Sequence, residues 1–530
     1  MKILVSDSLS KQGVDVLQKA GFDVDVKTKL PKEELLKEIG HCEGLIVRSA
    51  TKVTSDLIDA ATRLKVIGRA GSGLDNVDTQ AATRRGIVVM NTPGGNTVTT
   101  AEHTMAMIFS ITRRIPQATA SMKAGKWEKD RFMGVELYNK TLGVVGIGQI
   151  GGYLTKLAQG LSMSVIAYDP YLAEERARKM GVEVVELAEL FRRSDIISVH
   201  TPLTAETRSL INAAAIATMK PGVMIVNCAR GGIVNESDLF DALKSKRVAA
   251  AAFDVFEEEP VKPDHPLLGL DNFISTPHIG ASTAEAQENV AVGIAEQIVD
   301  YLTKGIARGA VNIPSVPPEL LPRLHPYLTL AEQIGLLQAQ LYEGGLERVT
   351  VEYEGEVASL SVSPLTIAVL KGLLTPILED AVNFVNAPVI AKERGIEVKE
   401  VKSSDAGDFT SVIRVRVEAG KKTHRVAGTL YSRKDPRIIE IDNFQVEVAP
   451  EGHMLLILNV DRPGVIGMVG HVLGEHNINI ARMQCSREER GGNALLIFGL
   501  DAPLPENVLQ IIKRANNILS VKLADLSKGL

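Results

Sequence analysis

The stretch that decides the fold is TLGVVGIGQIGGYLTKLAQGLSMSVIAYD, residues 141–169. Its apolar run 141–145 predicts a buried strand, the glycine-rich turn 146–151 follows at once, and residues 152–161 can continue as a helix. A second apolar run, residues 164–168, predicts the next strand. A strand, a glycine turn, a helix and a strand in this order are typical of a dinucleotide-binding unit in a doubly wound parallel sheet.

The three glycines of the turn can each serve the binding of a dinucleotide. Gly146 permits the tight turn, Gly148 lets the backbone approach a pyrophosphate, and Gly151 lets helix and strand pack closely. The N-terminus of the helix would then face the phosphates with unpaired N–H groups. Asp169 can accept hydrogen bonds from an adenosine ribose and would repel a 2′-phosphate, which favours NAD over NADP. The alternative is that Asp169 and Pro170 form only a turn.

Polar residues follow four more predicted strands, residues 196–200, 224–227, 248–254 and 273–275. The ligands of an open parallel sheet bind outside the carboxyl ends of its strands, so we expect these polar residues to line one crevice. They are Thr201, Pro202, Asn227, Cys228, Ala229, Arg230, Asp254, Glu259, Thr276, Pro277 and His278.

Three of these residues fit the oxidation of an alcohol that lies beside a carboxylate. Arg230 can hold the carboxylate with two parallel hydrogen bonds and polarise the developing carbonyl. His278 suits proton exchange near neutral pH, and Glu259 can accept the other imidazole N–H and favour the charged form. Taken singly, each has an ordinary alternative: a surface ion pair, a core histidine, or one of several acidic residues near Pro260. Their order after a dinucleotide turn favours a catalytic set.

The chain resembles the D-isomer-specific 2-hydroxyacid dehydrogenases. The matching strings are VVGIGQIG, VHTPLTAET, VNCARGGIVNESDL, AAFDVFEEEP and STPHIGAST, with IVRSAT, GRAGSGLDNVD and MNTPGGNTVTTAEH upstream. The resemblance implies that Arg230, Glu259 and His278 are catalytic and that Asp254 lies near the nicotinamide amide. The NAD site that it implies consists of Gly146, Gly148, Gln149, Ile150, Gly151, Asp169, Thr201, Cys228, Ala229, Arg230, Asp254, His278, Gly280 and Ala281.

Cationic and glycine-rich segments near the N-terminus predict the substrate site. Backbone N–H groups of residues 71–73 can hold a carboxylate as a nest does, and two arginines add positive charge for a phosphate. The alternatives are an ordinary turn and a solvated edge. The predicted substrate residues are Arg48, Ser49, Arg69, Ser72 and Gly73. With the resemblance, they imply NAD-dependent oxidation of 3-phosphoglycerate to 3-phosphohydroxypyruvate, the first step of phosphorylated L-serine biosynthesis.

Composition and length predict a multidomain α/β protein. A chain of 530 residues is too long for a single hydrophobic core. The net charge of −5 argues against a basic surface for nucleic acid, and no apolar run approaches the length of a membrane-spanning helix. Asp7 interrupts the N-terminus before a signal sequence could form, so we expect a cytoplasmic protein. Three scattered cysteines form no zinc pattern and no disulfide framework, and we expect no metal.

We predict four domains, two of them Rossmann-like with doubly wound parallel sheets. Residues 1–97 with 283–312 bind substrate, residues 98–282 bind NAD, residues 319–450 form an α+β intervening domain, and residues 453–530 follow. A proline-rich connector, residues 312–318, ends the catalytic part, and helix 283–304 returns to the first domain. The resemblance implies regulation or assembly for the intervening domain, where basic residues 421–425 predict a solvated hairpin turn.

The sequence pattern of the last domain predicts the βαββαβ order of a ferredoxin-like fold. This part of the chain resembles an ACT domain, a module that commonly binds amino acids at the interface between two copies of the domain. Asp461 could hold an α-amino group, with Asn459 and Asn479 nearby, and L-serine is the expected effector. The alternative is an unliganded loop and helix cap. This domain and segment 126–131, which contains the only tryptophan, predict a homo-oligomer, either a dimer or a tetramer.

Two other functions compete with this hypothesis. The chain could reduce another 2-oxo acid, such as 2-oxoglutarate, glyoxylate or hydroxypyruvate, although the basic residues weigh against an exclusively unphosphorylated substrate. It could instead be a nucleotide-sensing scaffold without catalytic activity. The presence of Arg230, Glu259 and His278 together argues against a scaffold.

Overall fold

The structure is a computed structural model that describes residues 1–314, 316, 318–342, 344–378, 381–420 and 422–527. Ser315 and Pro317 of the connector, Lys421 of the basic turn and residues 528–530 of the predicted last domain lie outside the described residues. The strands of the described residues form four sheets, of five, seven, six and four strands. Within the same ranges, no helix is both long and apolar enough to cross a membrane.

The first sheet is entirely parallel, with the order β2-β1-β3-β4-β5. Its elements are β1 (Lys2–Val5), α1 (Lys11–Lys19), β2 (Asp23–Val26), α2 (Lys32–Ile39), β3 (Gly44–Val47), α3 (Ser55–Ala60), β4 (Val66–Arg69), α4 (Thr79–Arg84) and β5 (Val88–Asn91). Apart from the edge strand β2, the short strands are almost fully buried, as helical crossovers require, and the parallel pairing brings their carboxyl ends to one edge.

The second sheet is also parallel, with the order β12-β11-β10-β9-β6-β7-β8. The elements are α5 (Thr97–Arg113), α6 (Ile115–Lys123), β6 (Thr141–Val145), α7 (Gln149–Gly160), β7 (Ser164–Tyr168), α8 (Glu174–Met180), β8 (Glu183–Val184), α9 (Leu187–Arg193), β9 (Ile196–Val199), α10 (Ala213–Thr218), β10 (Val223–Asn227), α11 (Glu236–Lys244), β11 (Val248–Phe253), β12 (Phe273–Ser275) and α12 (Ala284–Lys304). The strand order changes direction at β6, between β9 and β7, and a dinucleotide binds at such a switch point.

Helix α12 leaves the second sheet and packs against the first. Thr283 caps its N-terminus by accepting a hydrogen bond from the Ala286 N–H (3.2 Å). A Cβ placed on Gly13 of α1 would lie 2.8 Å from the carbonyl oxygen of Ala291, so the two helices touch backbone to backbone. This packing supports the grouping of residues 283–312 with residues 1–97, which stays a prediction.

The third sheet is mixed, with the order β14-β13-β15-β16-β17-β18. Its elements are α13 (Leu321–Leu341), β13 (Arg348–Gly355), α14 (Ser363–Leu378), α15 (Ala387–Glu393), β14 (Glu397–Ser403), β15 (Ser411–Ala419), β16 (Lys422–Tyr431), β17 (Asp435–Ile441) and β18 (Phe444–Val448). Helices α13 and α14 cross closely because glycines face backbone there: a Cβ on Gly335 would overlap the Val369 carbonyl.

The fourth sheet is antiparallel, with the order β20-β21-β19-β22. Its elements are β19 (His453–Val460), α16 (Val465–Glu475), β20 (Ile480–Arg487), β21 (Asn493–Leu500), α17 (Glu506–Lys513) and β22 (Ile518–Asp525). Two parallel sheets, a mixed α+β part and a βαββαβ unit confirm the predicted fold class.

Candidate active site

The glycine turn between β6 and α7 has the shape that a dinucleotide requires. Gly146 adopts the left-handed conformation (φ 88°), and a Cβ there would lie 2.8 Å from the His200 carbonyl oxygen. A Cβ on Gly151 would overlap the Gly146 carbonyl, so helix and strand touch. A Cβ on Gly148 would meet nothing within 4 Å. Gly148 thus leaves open space at the helix N-terminus, where phosphates would lie.

Asp169 stands beside this turn. Its Oδ2 accepts a hydrogen bond from the Ile147 N–H and its Oδ1 accepts one from the Tyr171 N–H, each at 2.9 Å. The carboxylate follows β7 directly, where the ribose of a dinucleotide is expected. The side chain of Gln149 accepts a hydrogen bond from the Thr97 hydroxyl (3.1 Å), which connects the turn to α5.

Most of the other predicted cofactor residues line one cavity of about 270 Å³ beside the carboxyl ends of β9, β10 and β11. Thr201 Oγ1 is buried there and has no hydrogen-bond partner among the described residues, as expected of a group reserved for a ligand. Burial raises the pKa of Cys228 to about 12, which leaves this thiol neutral and unsuited to act as a nucleophile. The lining includes Ile150, Thr201, Cys228, Ala229, Arg230, Asp254, His278, Gly280 and Ala281 from the predicted cofactor set, and Arg69, Ser72 and Gly73 from the predicted substrate set.

His278 and Glu259 form the predicted pair. Nδ1 of His278 lies 2.7 Å from Oε2 of Glu259, and Oε1 of Glu259 accepts the Phe256 N–H at 3.0 Å. The hydrogen bond to Glu259 raises the pKa of His278, although burial of the imidazole acts to lower it. Burial opposes ionisation of Glu259, but the hydrogen bonds from His278 and Phe256 outweigh it and lower the pKa of this carboxyl. With Nδ1 committed to the carboxylate, Nε2 remains for a reacting proton.

Asp254 holds the loop that carries His278. This carboxylate is 1% exposed and accepts the N–H groups of Ile279 and Gly280, each at 2.8 Å, as well as the Thr276 hydroxyl. His278 itself has a left-handed backbone (φ 53°), which costs free energy unless its surroundings enforce it. Asp254 therefore fixes the loop, and its expected proximity to the nicotinamide amide stays a prediction.

His103 was not singled out from the sequence. Its Nε2 lies 3.1 Å from Thr276 Oγ1 and 3.4 Å from Asp254 Oδ1, so α5 supports the loop from behind. The residue lies 173 positions before Thr276, and the local pattern of apolar residues carries no information about a contact over that separation. Only its place in the string MNTPGGNTVTTAEH could have drawn attention to it.

Three of the predicted substrate residues, Arg48, Ser49 and Arg69, border a second cavity of about 780 Å³, which also reaches Glu259 and His278. Arg69 is the notable group: its Nε is buried without a partner among the described residues, and a Cβ on Gly71 would overlap its guanidinium. Burial and the nearby Arg230 lower the pKa of Arg69 to about 10, so it stays charged at neutral pH. A cation with a buried N–H that lacks a partner calls for an anionic ligand.

The remaining predicted substrate residues are held by polar side chains. Asp7, 7% exposed, accepts the Arg48 N–H at 2.6 Å and thereby holds the loop of Arg48 and Ser49 at the mouth of the larger cavity. The Ser72 hydroxyl donates to Asn96 Oδ1 at 2.7 Å. A Cβ on Gly73 would overlap the guanidinium of Arg230. The structure therefore brings together the predicted substrate residues and the predicted catalytic residues.

The predicted effector residues do not share one location within a chain. Asn459 and Asp461 lie at the end of β19 that pairs with Asn493, where Asp461 accepts the Gly491 N–H at 3.1 Å. Asn479 lies at the opposite end of the same sheet and donates to Asp501 at 2.7 Å. At about 3.4 Å per residue, the eight residues of β19 separate these ends by roughly 25 Å. One chain cannot bring Asp461 and Asn479 to one small ligand.

Family models match three parts of this chain. Residues 105–280 match the family model of the D-isomer specific 2-hydroxyacid dehydrogenase NAD binding domain. Residues 323–442 match the D-3-phosphoglycerate dehydrogenase intervening domain, and residues 453–517 match the ACT domain.

Relatives that match the whole chain, and solved structures that match part of it, include named dehydrogenases. D-3-phosphoglycerate dehydrogenase of Methanocaldococcus jannaschii is 47% identical over 99% of this chain and 100% of its own length, and that of Bacillus subtilis is 43% identical over 99% of each. The NAD+-bound 3-phosphoglycerate dehydrogenase of Entamoeba histolytica is 32% identical with a TM-score of 0.50, and covers 60% of this chain and 99% of that one. D-lactate dehydrogenase of Escherichia coli is 30% identical with a TM-score of 0.53, over 59% and 100%.

Two adjacent glycines test the role of the turn. We expect Gly151→Ala to weaken NADH binding about tenfold or more, because its methyl group would force the helix away from the Gly146 carbonyl. Gly152→Ala is the matched control, since its Cβ would meet only the flexible Met180 methyl at 3.0 Å. NADH fluorescence titration measures both. Equal affinities of the two variants would contradict the assignment.

Proposed function

Because the chain belongs to the D-isomer specific 2-hydroxyacid dehydrogenase family, we propose that it oxidises 3-phosphoglycerate to 3-phosphohydroxypyruvate. The enzyme is an NAD-dependent dehydrogenase, and this reaction opens the phosphorylated route to L-serine. One observation carries the proposal. The pair of His278 and Glu259 faces a cavity that is also lined by Arg69, a cation whose buried Nε has no partner among the described residues.

The residues present fit NAD. The open space over Gly148 can receive the pyrophosphate, Asp169 stands where the ribose is expected, and the unpaired hydroxyl of Thr201 faces the adjoining cavity. NAD, when bound, supplies the acceptor for the hydride that leaves the substrate. The close fit of Gly151 against Gly146 keeps α7 in place for that purpose.

The side chains of the site bind the substrate and accept its proton. Arg230 holds the carboxylate and polarises the developing carbonyl. His278 takes the hydroxyl proton at Nε2, and Glu259 stabilises the imidazolium that results. Arg69 and Arg48 hold the phosphate. The N–H groups of the loop at Ser72 and Gly73 help to orient the substrate.

A coupled NADH absorbance assay separates this function from its alternatives. We compare 3-phosphoglycerate with D-glycerate, which lacks the phosphate, and with 2-oxoglutarate, glyoxylate and hydroxypyruvate in the reducing direction. The unpaired charge of Arg69 favours the phosphorylated substrate. Preference for an unphosphorylated 2-oxo acid would select the first alternative, and no turnover with any of them would select the nucleotide-sensing scaffold.

His278→Gln tests the base. We expect kcat to fall by about two to four orders of magnitude, as for other removals of a general base, because no other group then takes the proton. The Kd for NADH should stay within about threefold, since neither the glycine turn nor Asp169 is altered. Retention of near-normal turnover would remove His278 from the mechanism.

Glu259→Gln tests the pH dependence. The hydrogen bond to Glu259 raises the pKa of His278, so removing the charge should lower that pKa. The neutral imidazole is the base, and kcat/KM for oxidation rises with pH through this pKa. The acidic limb of the profile should therefore move to lower pH in Glu259→Gln, while the maximum rate falls because the imidazolium loses its partner. An unmoved limb would contradict the pairing.

The ACT domain supports regulation, and L-serine is the effector that we propose. Its ammonium would bind Asp461 and its carboxylate would bind N–H groups of the turn after Pro463. Asn479 would come from a second copy, since one chain holds it at the other end of the sheet. We therefore propose a homo-oligomer. Strongly exposed apolar side chains at Trp127 (82%) and Met133 (84%) support a second contact between copies.

Mixing two variants tests the shared effector site. We expect L-serine to inhibit the wild type, and Asp461→Ala or Asn479→Ala to abolish inhibition. Oligomers that contain one chain of each variant should regain sensitivity, because one of two symmetric sites then has both intact residues. Tandem tags isolate the mixed species. Loss of inhibition in the mixed oligomer as well would contradict a site built from two chains.

A further inference from the structure

Arg230 makes an ion pair that its proposed role does not explain. Its Nε donates to Oδ2 of Asp75 at 2.9 Å, and Asp75 lies in the loop that follows β4 of the first sheet. Arg230 follows β10 of the second sheet. Among the ion pairs of the described residues, this one alone joins residues 1–97 to residues 98–282.

The other contacts of the guanidinium define what remains free. Arginine has five N–H donors in a planar fork. Asp75 takes the Nε donor, and the Ala229 carbonyl accepts one from Nη1 at 2.7 Å. The backbone of Gly73 lies so close to Nη2 that a Cβ there would overlap it. One donor on Nη1 and two on Nη2 are left, and they form the end of the fork that can grip a carboxylate bidentately.

We propose that Asp75 is the positioning residue for Arg230. By holding Nε, it turns the Nη1 and Nη2 edge of the guanidinium toward the carboxylate of the substrate. Because Asp75 and Arg230 follow strands of different sheets, the same bond makes that orientation depend on the two parts of the enzyme being together. This inference rests on the proposed function, since it names the group that orients the carboxylate anchor.

Among the described residues, the hydrogen bond of the Asp75 side chain is with Arg230, and its interaction with Arg69 is electrostatic only. We therefore expect its removal to weaken binding of the substrate carboxylate and not of the phosphate. The carboxylate of 3-phosphoglycerate depends on Arg230, whereas the phosphate is assigned to Arg69 and Arg48. Glycerol 3-phosphate has the phosphate and a hydroxyl but no carboxylate. A residue that only stabilises the fold would affect both ligands equally.

The experiment measures binding of both ligands to the enzyme–NADH complex, together with kcat/KM for 3-phosphoglycerate. We expect Asp75→Ala to weaken 3-phosphoglycerate binding about fivefold, since a charge-assisted hydrogen bond to an exposed carboxylate is lost. Asp75→Asn, which can still accept from Nε, should lose about threefold, while both variants bind glycerol 3-phosphate within about twofold of wild type. The control is Asp59→Asn, which removes an exposed carboxylate from α3 and should change neither ligand.

The same substitution in an Arg230→Lys enzyme tests whether Asp75 acts through Arg230. Lysine has no Nε donor in a fork, so Asp75→Ala should cost less than about twofold when added to Arg230→Lys. Equal weakening of both ligands, unchanged affinity in Asp75→Ala, or a full additive loss in the Arg230→Lys background would overturn the inference. Failure of the wild type to bind and oxidise 3-phosphoglycerate would instead overturn the proposed function.

Discussion

Parallel pairing of strands is the constraint on which the catalytic part depends. β6 pairs in parallel with both β7 and β9, and each connection must therefore cross a face of the sheet and bury it. All strands end at one edge, where backbone groups have no further ladder partner and remain free for a ligand. Arg230, Asp254 and His278 reach one cavity for this reason, although many residues separate them in the chain.

Carboxylates then determine where the cationic groups lie. A carboxylate removed from water is stable only when hydrogen bonds replace its hydration, so each one fixes the groups that surround it. Asp7 and Asp254 act in this way beside the two cavities. The more exposed carboxylates of Asp75 and Glu259 accept hydrogen bonds from Arg230 and His278. Arg69 is the exception, because its buried Nε has no partner among the described residues. The site is thus prepared for an anion before one binds, and the same carboxylates keep the imidazole and guanidinium oriented.

Local patterns predicted the elements well and their long-range contacts poorly. The strands 141–145, 164–168 and 273–275 have the predicted bounds, because apolar periodicity and glycine turns act within a few residues. α7 begins at Gln149 rather than at residue 152, since Gly148 already serves as its N-cap. Asp75 and His103 escaped prediction because their partners lie 155 and 173 positions away.

The sequence by itself determined the order of the elements, the glycine turn, and the residue types proposed for the ribose contact and for catalysis. Each depends on chemistry that a short segment carries: a backbone free to turn, a run of apolar side chains, or a single ionisable group. Only the tertiary structure decided which charges meet, since a hydrogen bond requires atoms within about 3.5 Å and that distance depends on sheet order and register. It paired Asp75 with Arg230, left Arg69 unpaired among the described residues, and placed Asp461 and Asn479 at opposite ends of one sheet.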